Sequence, residues 1–199
     1  MVRRRGGDPY NLVVGMTGVK MGDRVVQIGC AHGGRMAAIA SKVGFSGQAS
    51  AVVPDAESAA RARKAASQAG VLVEIEVASP TRLPIGDATA DLAVVDDTRG
   101  IVSTMKPEDR VAALRETLRV LRPGGRTIVI GAAPRGGLGA LFTRTQSGPS
   151  FDVPEALQAE GYRSVRKLAE REGLVFTEGV KPKESVSART SDVARHQLE

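Results

Sequence analysis

The chain has 199 residues, 42% of them hydrophobic and 25% charged, which suits one soluble domain long enough to bury a core. Its single cysteine, Cys30, excludes an intrachain disulfide and any cysteine-cluster metal site, and fits a reducing cytoplasm. The formal net charge is +6, but the basic residues fall in a terminal cluster, Arg3 to Arg5, and in a late segment with interleaved glutamates; neither has the aromatics of a base-stacking surface, which disfavours nucleic acid as a partner without excluding it.

No apolar run approaches the ~20 residues of a membrane span, and Met1 to Gly7 lacks the apolar stretch of a signal peptide. Residues 1–9 read as a disordered tail of arginines, glycines and a proline with nothing to bury. Tyr10 to Val19 is mildly apolar and forms a short lead-in helix or loop covering the pocket. A β-branched run, Arg24 to Ile28, predicts the first strand, followed by a glycine turn and an alanine-rich helix over 35–43.

Gln48 to Val53 predicts a second strand, and Pro54-Asp55 opens a helix to about Gln68 that Gly70 stops. Val71 to Val77 alternates valine or isoleucine with Glu74 and Glu76, a third strand with one wetter face and therefore at a sheet edge. Asp91 to Val95 is a fourth strand, and Val111, Leu114, Leu118 and Leu121 mark one face of a helix from Pro107 to about Leu121, stopped by Pro123-Gly124-Gly125. Arg126 to Ile130 is the fifth strand. Residues 131–150 are rich in glycine and lack periodicity, as a lid or flexible loop with Leu141 and Phe142 as its apolar wall. A helix over 151–160 then leads through Gly161 to two strands, 162–168 and 174–180, whose short link makes them antiparallel. Residues 181–199 read as a disordered tail, leaving 10–180 as the domain. Strands alternating with helices before a final hairpin predict an α/β fold, a doubly wound, mostly parallel seven-stranded sheet with helices on both faces.

The chemistry concentrates in Gln27-Ile-Gly-Cys-Ala-His-Gly33. Gly29, Gly33 and Gly34 permit a tight turn and close backbone approach to a ligand, and the helix that follows aims free N–H groups into that turn. This suits a nucleotide-like ligand, although a tight strand-to-helix turn with no ligand has the same pattern. Asp96 and Asp97 follow the fourth strand, where parallel sheets place their crevice. They could orient a substrate, act as base or bind a metal, or form a solvated loop pair. His32 is a further catalytic candidate or a wall residue, and Cys30 reads as a small buried hydrophobe.

The order of five strand-helix units ending in a hairpin, with Val25-Val-Gln-Ile-Gly-Cys-Ala-His-Gly-Gly34 on the first strand and Leu118-Arg-Val-Leu-Arg-Pro-Gly-Gly125 before the fifth, resembles the class I S-adenosylmethionine-dependent methyltransferases over residues 12–180. Leu83-Pro84 ahead of Asp91-Leu-Ala-Val-Val95, and Glu160-Gly-Tyr-Arg-Ser-Val165, point to the small-molecule branch that includes quinone C-methyltransferases. The resemblance implies S-adenosylmethionine as cofactor, no resident metal, a small-molecule acceptor and, as a further option, a homodimer. Gly29 and Gly33 take the first and third places of the family's glycine loop and Ala31 the second, with Cys30 between. Asp55 matches the acid that receives the ribose hydroxyls, and it also fits as a helix N-cap. The place of the acid that fixes the methionine end is held by Gln27, and that of the adenine-binding Asp by Ser79; Asp96 completes the implied cofactor set. A catalytically decayed binding or assembly module is the alternative that the same residues allow.

Overall fold

The computed structural model describes residues 10–133 and 151–183. The proposed lid residues Leu141 and Phe142, and the two tails apart from residues 181–183, lie outside them. Seven strands form one sheet in the order β3-β2-β1-β4-β5-β7-β6. β1 (Arg24–Ile28) pairs in parallel with β2 (Gln48–Val53) and β4 (Ala90–Asp96); β3 (Glu74–Val77) continues the parallel set at one edge, and β5 (Leu121–Ala132) on the other side. β7 (Leu174–Val180) runs antiparallel between β5 and β6 (Arg163–Arg171).

Helices α1 (Asn11–Thr17), α2 (Gly33–Val43) and α3 (Ala56–Ala69) cover one face, while α4 (Pro107–Val120) and α5 (Val153–Ala159) cover the other. The side chains divide by strand alternation: Val25 and Val94 pack with Ile39 and Val43 beneath α2, whereas Val26 and Val95 pack with Ala113 and Leu114 of α4. A third cluster, Cys30, Ala51 and Val53 against Ala59, Ala62 and Ala66, is built largely from alanine. Small side chains there let α3 lie close to the sheet, in keeping with the scarcity of aromatics.

Most predicted elements form where expected, with instructive differences at their ends. Helix α2 begins at Gly33, so both glycines belong to its first turn. The third strand is limited to Glu74–Val77, as an edge with a single neighbour. The largest difference concerns Pro123-Gly124-Gly125. Helix α4 already ends at Val120, and Leu121 enters the sheet opposite Ala90. Four residues lie between Leu121 and Arg126 where β4 has only Asp91 between Ala90 and Leu92. The Pro-Gly-Gly segment is therefore an irregularity inside β5 rather than the helix stop. Gly124 adopts φ 79°, a left-handed conformation natural to glycine, and its N–H donates to the Lys181 carbonyl while Lys181 N–H donates to that of Gly125.

Candidate functional site

Strand order places the site. β1 lies between β2 and β4, and the connections leave β1 and β4 in opposite directions, which opens a crevice at their carboxyl ends. Gln27 stands opposite Val94 in the parallel register. Asp96, two residues past Val94, therefore shares the sheet face of Gln27, beneath the start of α2.

Both side chains are almost wholly buried, Gln27 at 2% exposure and Asp96 at 1%. Gln27 Nε2 donates to the Gly29 carbonyl at 3.0 Å, which steadies the turn, but its Oε1 has no partner. Asp96 Oδ1 accepts from Thr98 Oγ at 2.7 Å and, at a loose 3.3 Å, from Arg35 Nη2. Asp96 Oδ2 and Arg35 Nε are likewise buried without partners. An arginine-carboxylate pair can close through two parallel hydrogen bonds; this one is open on one side.

The loop glycines act differently from one another. Gly29 has φ 82°, and a Cβ there would lie 3.1 Å from both the Asp96 carbonyl and Ile101 Cδ1, so the turn requires glycine. A Cβ on Gly33 would lie 2.6 Å from Ala65 Cβ, which makes Gly33 a packing residue between α2 and α3. Gly34 accommodates the Tyr10 ring, whose hydroxyl lies 3.4 Å from His32 Nδ1. Ala31 is half-buried and His32 exposed at the lip. Helix α2 has no side-chain cap at His32, so its first N–H groups face the crevice end. Cys30 is buried beside Asp96; burial first, then the Asp96 charge, push its thiol up to about 11, which leaves it protonated and unreactive near neutral pH.

Asp55 lies two residues beyond β2, exposed, and its Oδ1 accepts from Ser58 N at 2.6 Å as the N-cap of α3. The amide and hydroxyl of Ser58 hold its carboxyl below the ordinary range. Ser79, two residues past β3, is exposed and closes a small turn by accepting from Thr81 N at 3.2 Å. The pair Asp96-Asp97 is a correction to the solvated-loop reading. Asp96 is the last residue of β4, and Asp97 is 7% exposed, its N–H donating to Ile130 and its Oδ1 accepting from Val102 N at 2.7 Å and Ser103 N at 3.1 Å. Backbone donors at the strand end make burial of that second carboxylate tolerable. Among the described residues no group of three or more His, Cys, Asp or Glu is placed to hold a metal ion.

Arg35 and Thr98 were not singled out from the sequence. A signal existed for Arg35: a cation in the first turn of a helix opposes the helix dipole, so its presence calls for a local anion. Beside the crevice, past the ends of β4 and β5, a cavity of about 600 Å³ is lined by Arg99, Ser103, Thr104, Phe151, Lys167 and Thr177. Its carboxylates Asp97 and Asp152 are committed to backbone amides.

Residues 25–125 match a family described as a methyltransferase domain. A methyltransferase of Streptomyces halstedii, GfsG, is 29% identical over 160 residues; the match takes in 80% of this chain and 55% of that relative, so the chain spans little more than half its length. A methyltransferase from Aquifex aeolicus, described as SAM-dependent, superposes with a TM-score of 0.68 at 20% identity, over 87% of this chain and 94% of that one. The [4+2]-cyclase SpnF superposes with a TM-score of 0.63 at 18% identity, over 87% and 80%.

Proposed function

Because the chain belongs to the methyltransferase domain family, within the class I S-adenosylmethionine-dependent enzymes, we propose that it transfers a methyl group from S-adenosylmethionine to a small-molecule acceptor. The single observation that carries this reading is the crevice at the β1/β4 switch, where a glycine that tolerates no side chain meets two buried oxygens without partners, Gln27 Oε1 and Asp96 Oδ2. Orphaned buried acceptors cost stability in the free protein, on the order of 1–3 kcal/mol each, and are relieved by a ligand that donates. The residues present therefore fit the cofactor.

In this reading the backbone of Gly29 to Gly33, with Cys30 and Ala31, holds the cofactor against the start of α2. Gln27 and Asp96 face its amino-acid end, and Ser79 lies where the adenine would reach past β3. The bound cofactor supplies an activated methyl on sulfur. The chain's own part is to position the acceptor in the neighbouring cavity and to exclude water, so no nucleophilic side chain is required. Phe151 and Val129 give that cavity its apolar wall, and Thr104 and Thr177 offer hydroxyls to orient an acceptor. Asp97 holds the turn over 98–103 and acts through that turn, not as a base. His32 stands at the lip beside Tyr10, outside the crevice floor. Residues 10–180 act as one domain, and a cytoplasmic site of action belongs to the same reading, consistent with a lone reduced thiol; no helix of the described residues is long and apolar enough to cross a membrane.

The alternative, a binding module without methyl transfer, is favoured by two observations: Gln27 offers no charge, and Asp55 is occupied by its cap. Calorimetric titration with S-adenosylhomocysteine separates the two. Saturable binding at micromolar to sub-millimolar concentration is expected, and silence at millimolar ligand selects the module.

A further inference from the structure

The turn that follows β4 borders two spaces at once. Ile101 packs on the glycine loop, where a Cβ added to Gly29 would lie 3.1 Å from Ile101 Cδ1, and Arg99, two residues earlier, lines the neighbouring cavity of about 600 Å³. We infer that this cavity, which rests on the reading above as the acceptor site, selects an organic anion: a small molecule with an apolar body and an ionised oxygen, phenolate or carboxylate, held at the Arg99 guanidinium.

Arg99 is exposed, and among the described residues it makes no ion pair. The other charges on the cavity wall already have partners. Asp97 Oδ1 takes the Val102 and Ser103 amides, Asp152 caps α5 through Glu155 N, and Lys167 pairs with Glu170. The backbone that carries Arg99 is pinned on its far side: Gly100 N–H donates to the Asp97 carbonyl at 2.8 Å, and Thr104 Oγ1 donates to the Gly100 carbonyl at 2.6 Å. The Arg99 charge is felt at Cys30, where it opposes the rise that burial, and then Asp96, impose on the thiol. The guanidinium therefore stands on the crevice side of the cavity. Facing it are the apolar walls Phe151 and Val129, with the Phe151 ring steadied by the Arg110 guanidinium 5.1 Å from its centroid.

No histidine, cysteine or tyrosine is among the described residues of the wall, and Asp97 is tied into the turn. A neutral hydroxyl must lose its proton on methylation and calls for a base. An acceptor that arrives ionised needs only a cation to hold it. A guanidinium bond to a carboxylate or phenolate oxygen is roughly twice as strong as a neutral hydrogen bond, so a single arginine suffices to select the anion.

The test is calorimetry on the full chain with 4-nitrophenol in its ionised form against 4-nitroanisole, its neutral methyl ether, each with and without saturating S-adenosylhomocysteine. The wild type should bind the phenolate about 10- to 100-fold more tightly than the ether, the range of one charged hydrogen bond. Arg99→Gln should abolish that preference and keep S-adenosylhomocysteine affinity within about two-fold, Arg99→Lys should retain part of it, and Lys167→Gln should leave it intact. An absorbance titration of 4-nitrophenol reads the same contact independently: the bound phenol should ionise at lower pH on the wild type and not on Arg99→Gln. Equal binding of phenolate and ether, or a preference that survives Arg99→Gln, overturns the assignment. An equal loss in Lys167→Gln marks a general surface field and also overturns it. S-adenosylhomocysteine binding without phenolate binding overturns the acceptor class alone. Phenolate preference without S-adenosylhomocysteine binding upholds the anion site and overturns the cofactor reading, and with it the role of the anion as acceptor.

Discussion

At the residue scale the glycine loop separates into one glycine required by its left-handed backbone, Gly29, and two packing glycines, Gly33 and Gly34. The sequence motif alone does not distinguish them, because the reason lies on α3 and on Tyr10, remote in the chain. Gly33→Ala should destabilise the fold by about 1–3 kcal/mol through overpacking against Ala65. In a double-mutant cycle Ala65→Gly should relieve that clash, giving a favourable coupling of about 1 kcal/mol or more in urea unfolding. Asp55 is the second such case. The sequence allows both a ribose contact and a cap, and in the folded protein Asp55 caps α3. Asp55→Ala should lower the melting temperature by removing the cap, whereas Asp55→Ser, which retains a capping oxygen, should match the wild type in stability and, if capping is its whole task, in S-adenosylhomocysteine affinity. Gln27 and Ala31 were visible as departures from the family pattern; Asp96 was visible only as a residue after a strand, since its shared face with Gln27 comes from inter-strand register.

Elements were legible where one periodicity governed them. β1 and β2 follow their apolar runs because both faces are covered, and the Glu74/Glu76 alternation marked β3 as an edge. The start of β5 was not legible: Pro-Gly-Gly normally ends a helix, and only the pairing of Leu121 with Ala90 shows the strand beginning earlier. A polar latch holds the neighbouring β3–β4 connection to α4. Glu116 accepts from Arg119 through both oxygens, at 2.8 and 2.7 Å, and from Leu83 N at 2.8 Å, while Arg119 donates onward to the Leu83 and Ile85 carbonyls and to Asp87. Arg119, then the Leu83 amide, hold the Glu116 carboxyl below its ordinary value of 4.5 against the opposing effect of burial. A depressed folded value means that the latch contributes fully above the unfolded value and is lost as pH falls through the folded one. Glu116→Gln should therefore cost about 1–3 kcal/mol at pH 7, and the gap to wild type should close below pH 4.5 in denaturant titrations repeated across that range. Arg119→Lys cannot reproduce the two-pronged contact and should lose a similar amount at neutral pH.

For the whole molecule, the positive charge read from the sequence takes on a structural meaning. Arg35, Arg61, Arg115, Arg119, Arg122, Arg126 and Arg166 all pair with carboxylates, and Glu178, only 6% exposed at its side chain, joins Arg126 of β5 to Arg166 of β6. Arg126 also donates to the Thr17 and Gly18 carbonyls, so the end of α1 is fastened to the interior strand β5. Arg35, Arg119 and Arg126 are the more buried of these, while Arg115, Arg122 and Arg166 stay 61–70% exposed at their side chains, so the pairs cross-link the fold and leave the net charge of +6 unchanged. The same connectivity bears on how the cofactor crevice opens. Cys30 is buried between β1, α2 and the alanine cluster under α3, with its thiol pushed up to about 11; modification by iodoacetamide at pH 7.5 should be far slower than for a free thiol and should require the protein to open. If that opening separates β1 from α2, it also destroys the crevice, and a ligand held there must suppress it. S-adenosylhomocysteine at about 100 times its dissociation constant should then slow labelling by about 100-fold, the factor by which mass action depletes the open state. Labelling that ignores the ligand, in a protein that calorimetry shows to be saturated, would mean that Cys30 is reached through a local motion of α3 that leaves the crevice intact, and the alanine cluster would be the loosest part of the fold.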